Sequence, residues 1–124
     1  MWTLEATKEY EAWFAGLDDE CQKEVVEKVE ALGLYGPLLS RPHADTLNGS
    51  RHANMKELRG RTRTSELRIA YAFDPERKGI LLCAGDKTGM SQRLFYDRLI
   101  GLADRLFDEH LQKVRRRRKQ RKGK

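Results

Sequence analysis

The sequence predicts an α+β domain in the order β-α-α-β-β-β-α, a small antiparallel sheet packed on helices with one face left open and basic. Three observations carry this reading. Two apolar stripes at helical spacing occupy residues 8 to 35. Three runs of alternating large and polar residues, divided by turn-forming residues, occupy 54 to 86. Helical spacing then returns from Ser91 onward. These are the two side-chain periods of helix and strand. A chain of 124 residues fits one domain with a core of its own. The division expected is a folded domain over 1–112 and a basic C-terminal tail over 113–124.

WTLEAT, residues 2 to 7, alternates large and polar residues and reads as a short strand. Thr7 then caps a helix through Leu17, with Tyr10, Trp13, Phe14 and Leu17 on one stripe. Asp18 opens a second helix whose stripe is Cys21, Val25, Val29 and Leu32, ending between Gly33 and Pro37. GPLLSRPHADTLNGSRHA, residues 36 to 53, reads as a loop with a turn at Asn48 and Gly49. Strands follow at 54–59, 65–74 and 79–86, close enough in sequence for an antiparallel meander. Leu94, Phe95, Leu99, Leu102, Leu106, Leu111 and Val114 place a long third helix, which runs into the basic tail.

Charge is distributed unevenly. Residues 1 to 50 hold four Lys/Arg against ten Asp/Glu, residues 51 to 68 six against two, and residues 113 to 124 nine cations and no acid. A locally basic middle and a basic end point to a polyanion, although the body without its tail is mildly acidic. No apolar run approaches the roughly 20 residues that span a bilayer, and no signal-peptide pattern follows Met1. A soluble, cytoplasmic protein with no membrane partner is therefore expected. Cys21 and Cys83 match neither a zinc spacing nor a redox pair and read as reduced core thiols. No phosphate loop, metal-spaced His/Glu pair or Ser-His-Asp pattern occurs, so neither a cofactor nor a metal is expected.

NMKELRGRTRTSELRIAYAFD, residues 54 to 74, raises the functional question, because Lys56, Arg59, Arg61, Arg63 and Arg68 lie on and between predicted strands. Cations add little to strand propensity and are costly to bury unpaired. With Leu67, Ile69, Tyr71 and Phe73 toward the core, Arg68 falls on the open face beside Ala70 and Ala72; Met55, Glu57 and Arg59 point the same way. Lys56 shares the parity of Leu58 and is expected to snorkel from the strand edge.

The segments TLNGSRHANMKELR and LRIAYAFDPERKGILLCAGDKTG, with the following helix carrying Phe95 and Tyr96, resemble the phage Gp49-like, HigB-type branch of the RelE/ParE toxin superfamily over residues 2 to about 112. The resemblance implies a RelE-like fold and the toxin of a type II toxin–antitoxin pair. It implies a metal-independent endoribonuclease that cuts messenger RNA on the ribosome. It also implies a cognate helix-turn-helix antitoxin of the HigA/Xre kind, with operator DNA reached only through that antitoxin. Carried over by position, it implies roles for Arg68, Lys87 and Tyr96, with Arg59 fitting the basic end of the first meander strand.

The residues suit that chemistry. A guanidinium donates two parallel hydrogen bonds to phosphate, which favours Arg68 with Arg59 and Lys87 beside it. Glu57 is a candidate base and His52 a candidate acid or base; a structural pairing of Glu57 with Arg59 or Arg68 stays equally open. Lys56, Arg61, Arg63 and Arg115, Arg116, Arg117 and Arg118 are candidate RNA contacts, with plain solvation the competing reading. Two other functions stay open: a non-catalytic RNA- or ribosome-binding protein, and an antitoxin-dependent transcriptional corepressor on the same scaffold.

Overall fold

Thr7 and Asp18 set the first half of the chain. In the computed structural model, which describes residues 1–122, the Thr7 side chain accepts from the Tyr10 amide at 3.0 Å and opens α1 (Lys8–Ala15). The same hydroxyl donates to the Leu82 carbonyl at 2.5 Å, tying that helix to the last strand. Asp18 accepts from the Cys21 amide at 2.8 Å and opens α2 (Asp19–Tyr35). That amide bond, the largest cause, holds the Asp18 carboxyl below its ordinary range. Asp19 and Glu20 in the first turn complement the helix dipole. The helix stops at Gly36, whose φ of 57° favours glycine; a Cβ there would lie 2.4 Å from the Trp2 ring. A 3-10 turn, Gly36–Leu38, follows.

Five strands form one sheet in the order β1-β5-β4-β3-β2: β1 (Leu4–Ala6), β2 (Ala44–Thr46), β3 (Lys56–Arg61), β4 (Glu66–Phe73) and β5 (Gly79–Asp86). The meander from β3 to β5 is antiparallel, as its short turns require. Two features correct the sequence reading. β1 pairs with β5 in parallel, so the sheet is mixed, because the chain returns beside its start only after both helices and the meander. Residues 44 to 46, expected as loop, form an edge strand beside β3; three residues inside a stretch rich in Pro, Gly and Asn carry too few alternations to announce a strand.

The expectation of an open face is also corrected. Leu58, Leu67, Ile69, Tyr71 and Leu81 pack against α1 and α2, as the alternation requires. The opposite face is covered by α3 (Gln92–Lys122). Ala70, Ala72, Ile80, Leu82 and Cys83 meet Phe95, Leu99, Ala103, Leu106 and Phe107 there, and Met55, expected outward, is fully buried among them. The physical reason lies in Ala70 and Ala72: small residues beside Arg68 are where a helix comes close to the sheet. Only the end of this face next to the start of α3 stays accessible, and Arg68 lies at that end. No interruption separates 112 from 113, since α3 continues through the basic segment. Residues 123 and 124 of the predicted tail lie outside the described residues. Among the described residues no helix is long and apolar enough to cross a membrane.

Candidate active site

Where β3 and β4 run side by side, Arg59 stands directly opposite Arg68. Like charges facing each other across strands are destabilising, and Glu57, two residues before Arg59 on the same face, offsets the repulsion. Its Oε2 accepts from Arg59 Nε at 3.2 Å and Nη2 at 3.0 Å. Its Oε1 lies 3.7 Å from Arg68 Nε and accepts from the Tyr96 hydroxyl at 2.8 Å. Glu57 is 3% exposed, so a carboxylate almost removed from water is held by the side chains of three residues. Tyr96 comes from the first turns of α3, which the Ser91 side chain caps by accepting from the Leu94 amide at 3.2 Å. Lys87, just past β5, sets its ammonium over the Tyr96 ring at 6.0 Å. Five of the six predicted catalytic residues therefore come together here, Arg59, Arg68 and Tyr96 around the Glu57 carboxylate and Lys87 over the Tyr96 ring.

The electrostatics follow from this packing. Burial, the largest influence, lowers the Arg59 guanidinium, but the Glu57 hydrogen bond with the charges of Glu57 and Asp45 outweighs it, leaving a net rise. The Tyr96 hydroxyl is pushed up by burial first and then by Glu57, so it stays protonated and donates. Arg68 is nearly buried and uses Nη1 on the Leu67 carbonyl at 2.9 Å, while its Nε has no hydrogen-bond partner. A buried donor left unmade is costly, which marks Arg68 as a guanidinium with capacity in reserve. In front of the cluster lies an open cleft of about 730 Å³, bordered by Asp45, Asn48, Glu57, Arg59, Arg93 and Tyr96.

His52, predicted beside this group, is elsewhere. Its Nε2 lies 2.8 Å from Asp108 Oδ1 and its ring packs edge-on against Phe107 at 4.9 Å. Asp108 is twelve residues beyond Tyr96 on α3, roughly 18 Å along the helix axis. The turn after Asn48 and Gly49 carries His52 away from β3. Lys56 reaches the 3-10 turn that follows α2 and donates to the Pro37 carbonyl at 3.2 Å, as a snorkelling edge residue does. The Arg61 amide donates to Glu24 at 2.7 Å and Arg63 pairs with Glu20 at 3.4 Å, so both lean on the acidic first half of α2. Arg115, Arg116, Arg117 and Arg118 lie toward the far end of α3.

Sequence reasoning missed Asp45, which takes a second bond from Arg59 at 3.4 Å and pairs with Arg41 at 3.4 Å. No signal announced it, because its place depends on the unpredicted β2. Arg93 at the cleft was missed as well. Among the described residues no group of three or more His, Cys, Asp or Glu side chains is arranged to hold a metal ion.

Residues 12–108 match a protein family described as "Phage derived protein Gp49-like". The chain belongs to this Gp49-like family. Two relatives come from Mycobacterium tuberculosis. "Putative toxin HigB2" is 45% identical over 127 aligned positions, covering 98% of this chain and 62% of that protein. "Putative toxin HigB3" is 43% identical over 94, covering 76% of this chain and 80% of that protein. The Gp49-like chain thus spans less than two thirds of the length of HigB2. Among solved structures it is similar to a free-state double arginine-to-alanine mutant of the E. coli toxin RelE, with a TM-score of 0.55, 12% identity, and coverage of 80% of this chain and 93% of that one. At that identity the likeness establishes the RelE-like fold of the Gp49-like chain.

Proposed function

We propose that this chain is the toxin of a type II toxin–antitoxin pair and acts as a ribosome-dependent, metal-independent endoribonuclease on messenger RNA, held inactive in the cytoplasm by a cognate helix-turn-helix antitoxin. The observation that carries the reading is the gathering of Arg59, Arg68 and Tyr96 around the buried Glu57 at the edge of the cleft, with Lys87 over the Tyr96 ring.

In this mechanism the RNA 2′-oxygen attacks the adjacent phosphorus while the bond from phosphorus to the 5′-oxygen breaks. The 2′-proton passes to the Tyr96 oxygen as Tyr96 gives its own proton to Glu57, along the 2.8 Å hydrogen bond already in place. The guanidinium groups of Arg68 and Arg59 hold the negative charge that gathers on the phosphoryl oxygens. Preorganised donors of this kind supply roughly 10²- to 10³-fold in rate. Lys87 delivers a proton to the departing 5′-oxygen. Products are a 2′,3′-cyclic phosphate and a 5′-hydroxyl, and Glu57 and Lys87 return to their starting states through solvent.

The test is to express the chain from a tight promoter, with and without its neighbouring gene, and to map the chemistry of the new messenger ends. Cyclic or 3′-phosphate ends that vanish when the neighbour is co-expressed are expected. Growth arrest with 3′-hydroxyl ends would refute the 2′-hydroxyl route, and arrest with intact messengers would favour the non-catalytic ribosome-binding reading.

A further inference from the structure

The basic C-terminal segment is a helix with two unlike faces. Val114 is 1% exposed, and one turn on Arg117 and Arg118 reach the β4–β5 turn: Arg117 lies 3.6 Å from Glu76, and Arg118 donates to the Pro75 carbonyl at 3.3 Å. A further turn on, Arg121 donates to Glu76 at 2.7 Å. Upstream on the same face His110 meets the buried Asp74 at 2.7 Å. Positions 110, 114, 117, 118 and 121 share one side of a helix at about 100° per residue. The Arg121 bond, first among its causes, together with the charge of Arg117 holds the Glu76 carboxyl below its ordinary range. These arginines fasten the helix to the body.

The same geometry turns Arg115, Arg116, Lys119 and Lys122 outward on an arc of about 120°. All four are exposed, and none forms an ion pair among the described residues. Gln112 and Gln120 share this side, with no apolar side chain between them. Like charges at one and two turns' spacing destabilise a helix, so an isolated segment of this composition would fray; anchoring at Glu76 and Pro75 keeps it in one shape. The separation from Tyr96 to the middle of this patch is roughly 32 Å along α3.

We propose that Arg115, Arg116, Lys119 and Lys122 form a second, non-catalytic site that binds the phosphate backbone of RNA, presented as a rigid ridge remote from the cleft. Its chemistry favours phosphate over an acidic protein surface. A protein interface needs an apolar or aromatic anchor at its centre, and this arc has none. Backbone binding needs only cations in register and carries no sequence choice. The assignment differs from a simple basic tail: Arg117 and Arg121 belong to the anchor, and Lys119 and Lys122 to the ridge. It does not depend on RNA cleavage.

The experiment measures affinity of the full chain for a short mixed-sequence RNA duplex across a salt series, for wild type, R115Q/R116Q/K119Q/K122Q, R115K/R116K and Glu76→Gln. The slope of log affinity against log salt is expected to shrink by roughly 3 to 4 units in the fourfold Gln variant, about 0.9 for each lost phosphate contact. It should hold in R115K/R116K. Glu76→Gln should keep that slope while its C-terminal helix becomes more open to trypsin. An unchanged slope in the fourfold variant would overturn the site, as would loss of antitoxin binding with RNA binding intact. The duplex measurement involves no cleavage step, so failure of the cleavage mechanism and failure of this site read out separately.

Discussion

Glu57 and Asp74 are both buried carboxylates beneath α3, one near its start and one under its second half, yet they are satisfied in different ways. Asp74 accepts from two backbone amides of its own turn, Glu76 and Lys78, both at 2.9 Å, and from His110. Burial alone would raise its carboxyl, but those bonds together hold it below the ordinary range. It is a turn-closing group with nothing to spare. Glu57 receives hydrogen bonds from side chains alone, Arg59 and Tyr96, and lies beside an Arg68 whose Nε is unpartnered, at the edge of an open cleft. A carboxylate closed by backbone amides locks the fold. One closed by long, polar, ionisable side chains can exchange those partners for a substrate.

Removing each carboxylate breaks the comparison most sharply. Glu57→Ala leaves Arg68 buried beside an opposed Arg59 with no counter-charge, a loss of about 3 to 5 kcal/mol. It should also abolish messenger cleavage by the folded fraction. Asp74→Ala orphans two amides and His110 and should cost about 3 kcal/mol while the cleavage rate of the folded protein stays at the wild-type level. Chemical denaturation paired with single-turnover cleavage reads both. Equal rate losses in the two variants would erase the distinction drawn between them.

A smaller effect sharpens the same contrast in acid. Because the folded-state value of Asp74 is depressed, the unfolded chain binds the extra proton first, and stability rises with pH through that window. Its contribution is fully present above the unfolded value near 3.9 and is lost as pH falls through the folded one. Thermal melts of wild type should decline below about pH 4. Asp74→Ala should show a shallower decline, and parallel acid limbs would show that Asp74 is not linked to folding.

How far the sequence carried this picture depends on how local each signal was. The caps at Thr7 and Asp18 and the alternation of Leu67, Ile69, Tyr71 and Phe73 act within a few residues, so helices, meander and core face were legible. Ala70 and Ala72 were placed on an open face beside Arg68, although their small size is what admits α3; alternation distinguishes the two faces but does not say what covers the second. Convergence of Glu57, Arg59 and Arg68 followed from strand parity, and Tyr96 and Lys87 from the family resemblance. His52 failed because a turn of unknown path sets its direction. Glu76 as anchor for Arg117 and Arg121, more than forty residues away, had no sequence signal.

The central claim is that Arg68 stabilises charge on the phosphorus of the scissile bond. Its most direct test is single-turnover cleavage of ribosome-bound messenger by Arg68→Ala, with thermal melting as the fold control. Glu57 keeps Arg59 and Tyr96 in that variant, so stability should fall by only about 1 kcal/mol while the rate falls roughly 10²- to 10³-fold. A folded Arg68→Ala protein that cuts at the wild-type rate would contradict the account.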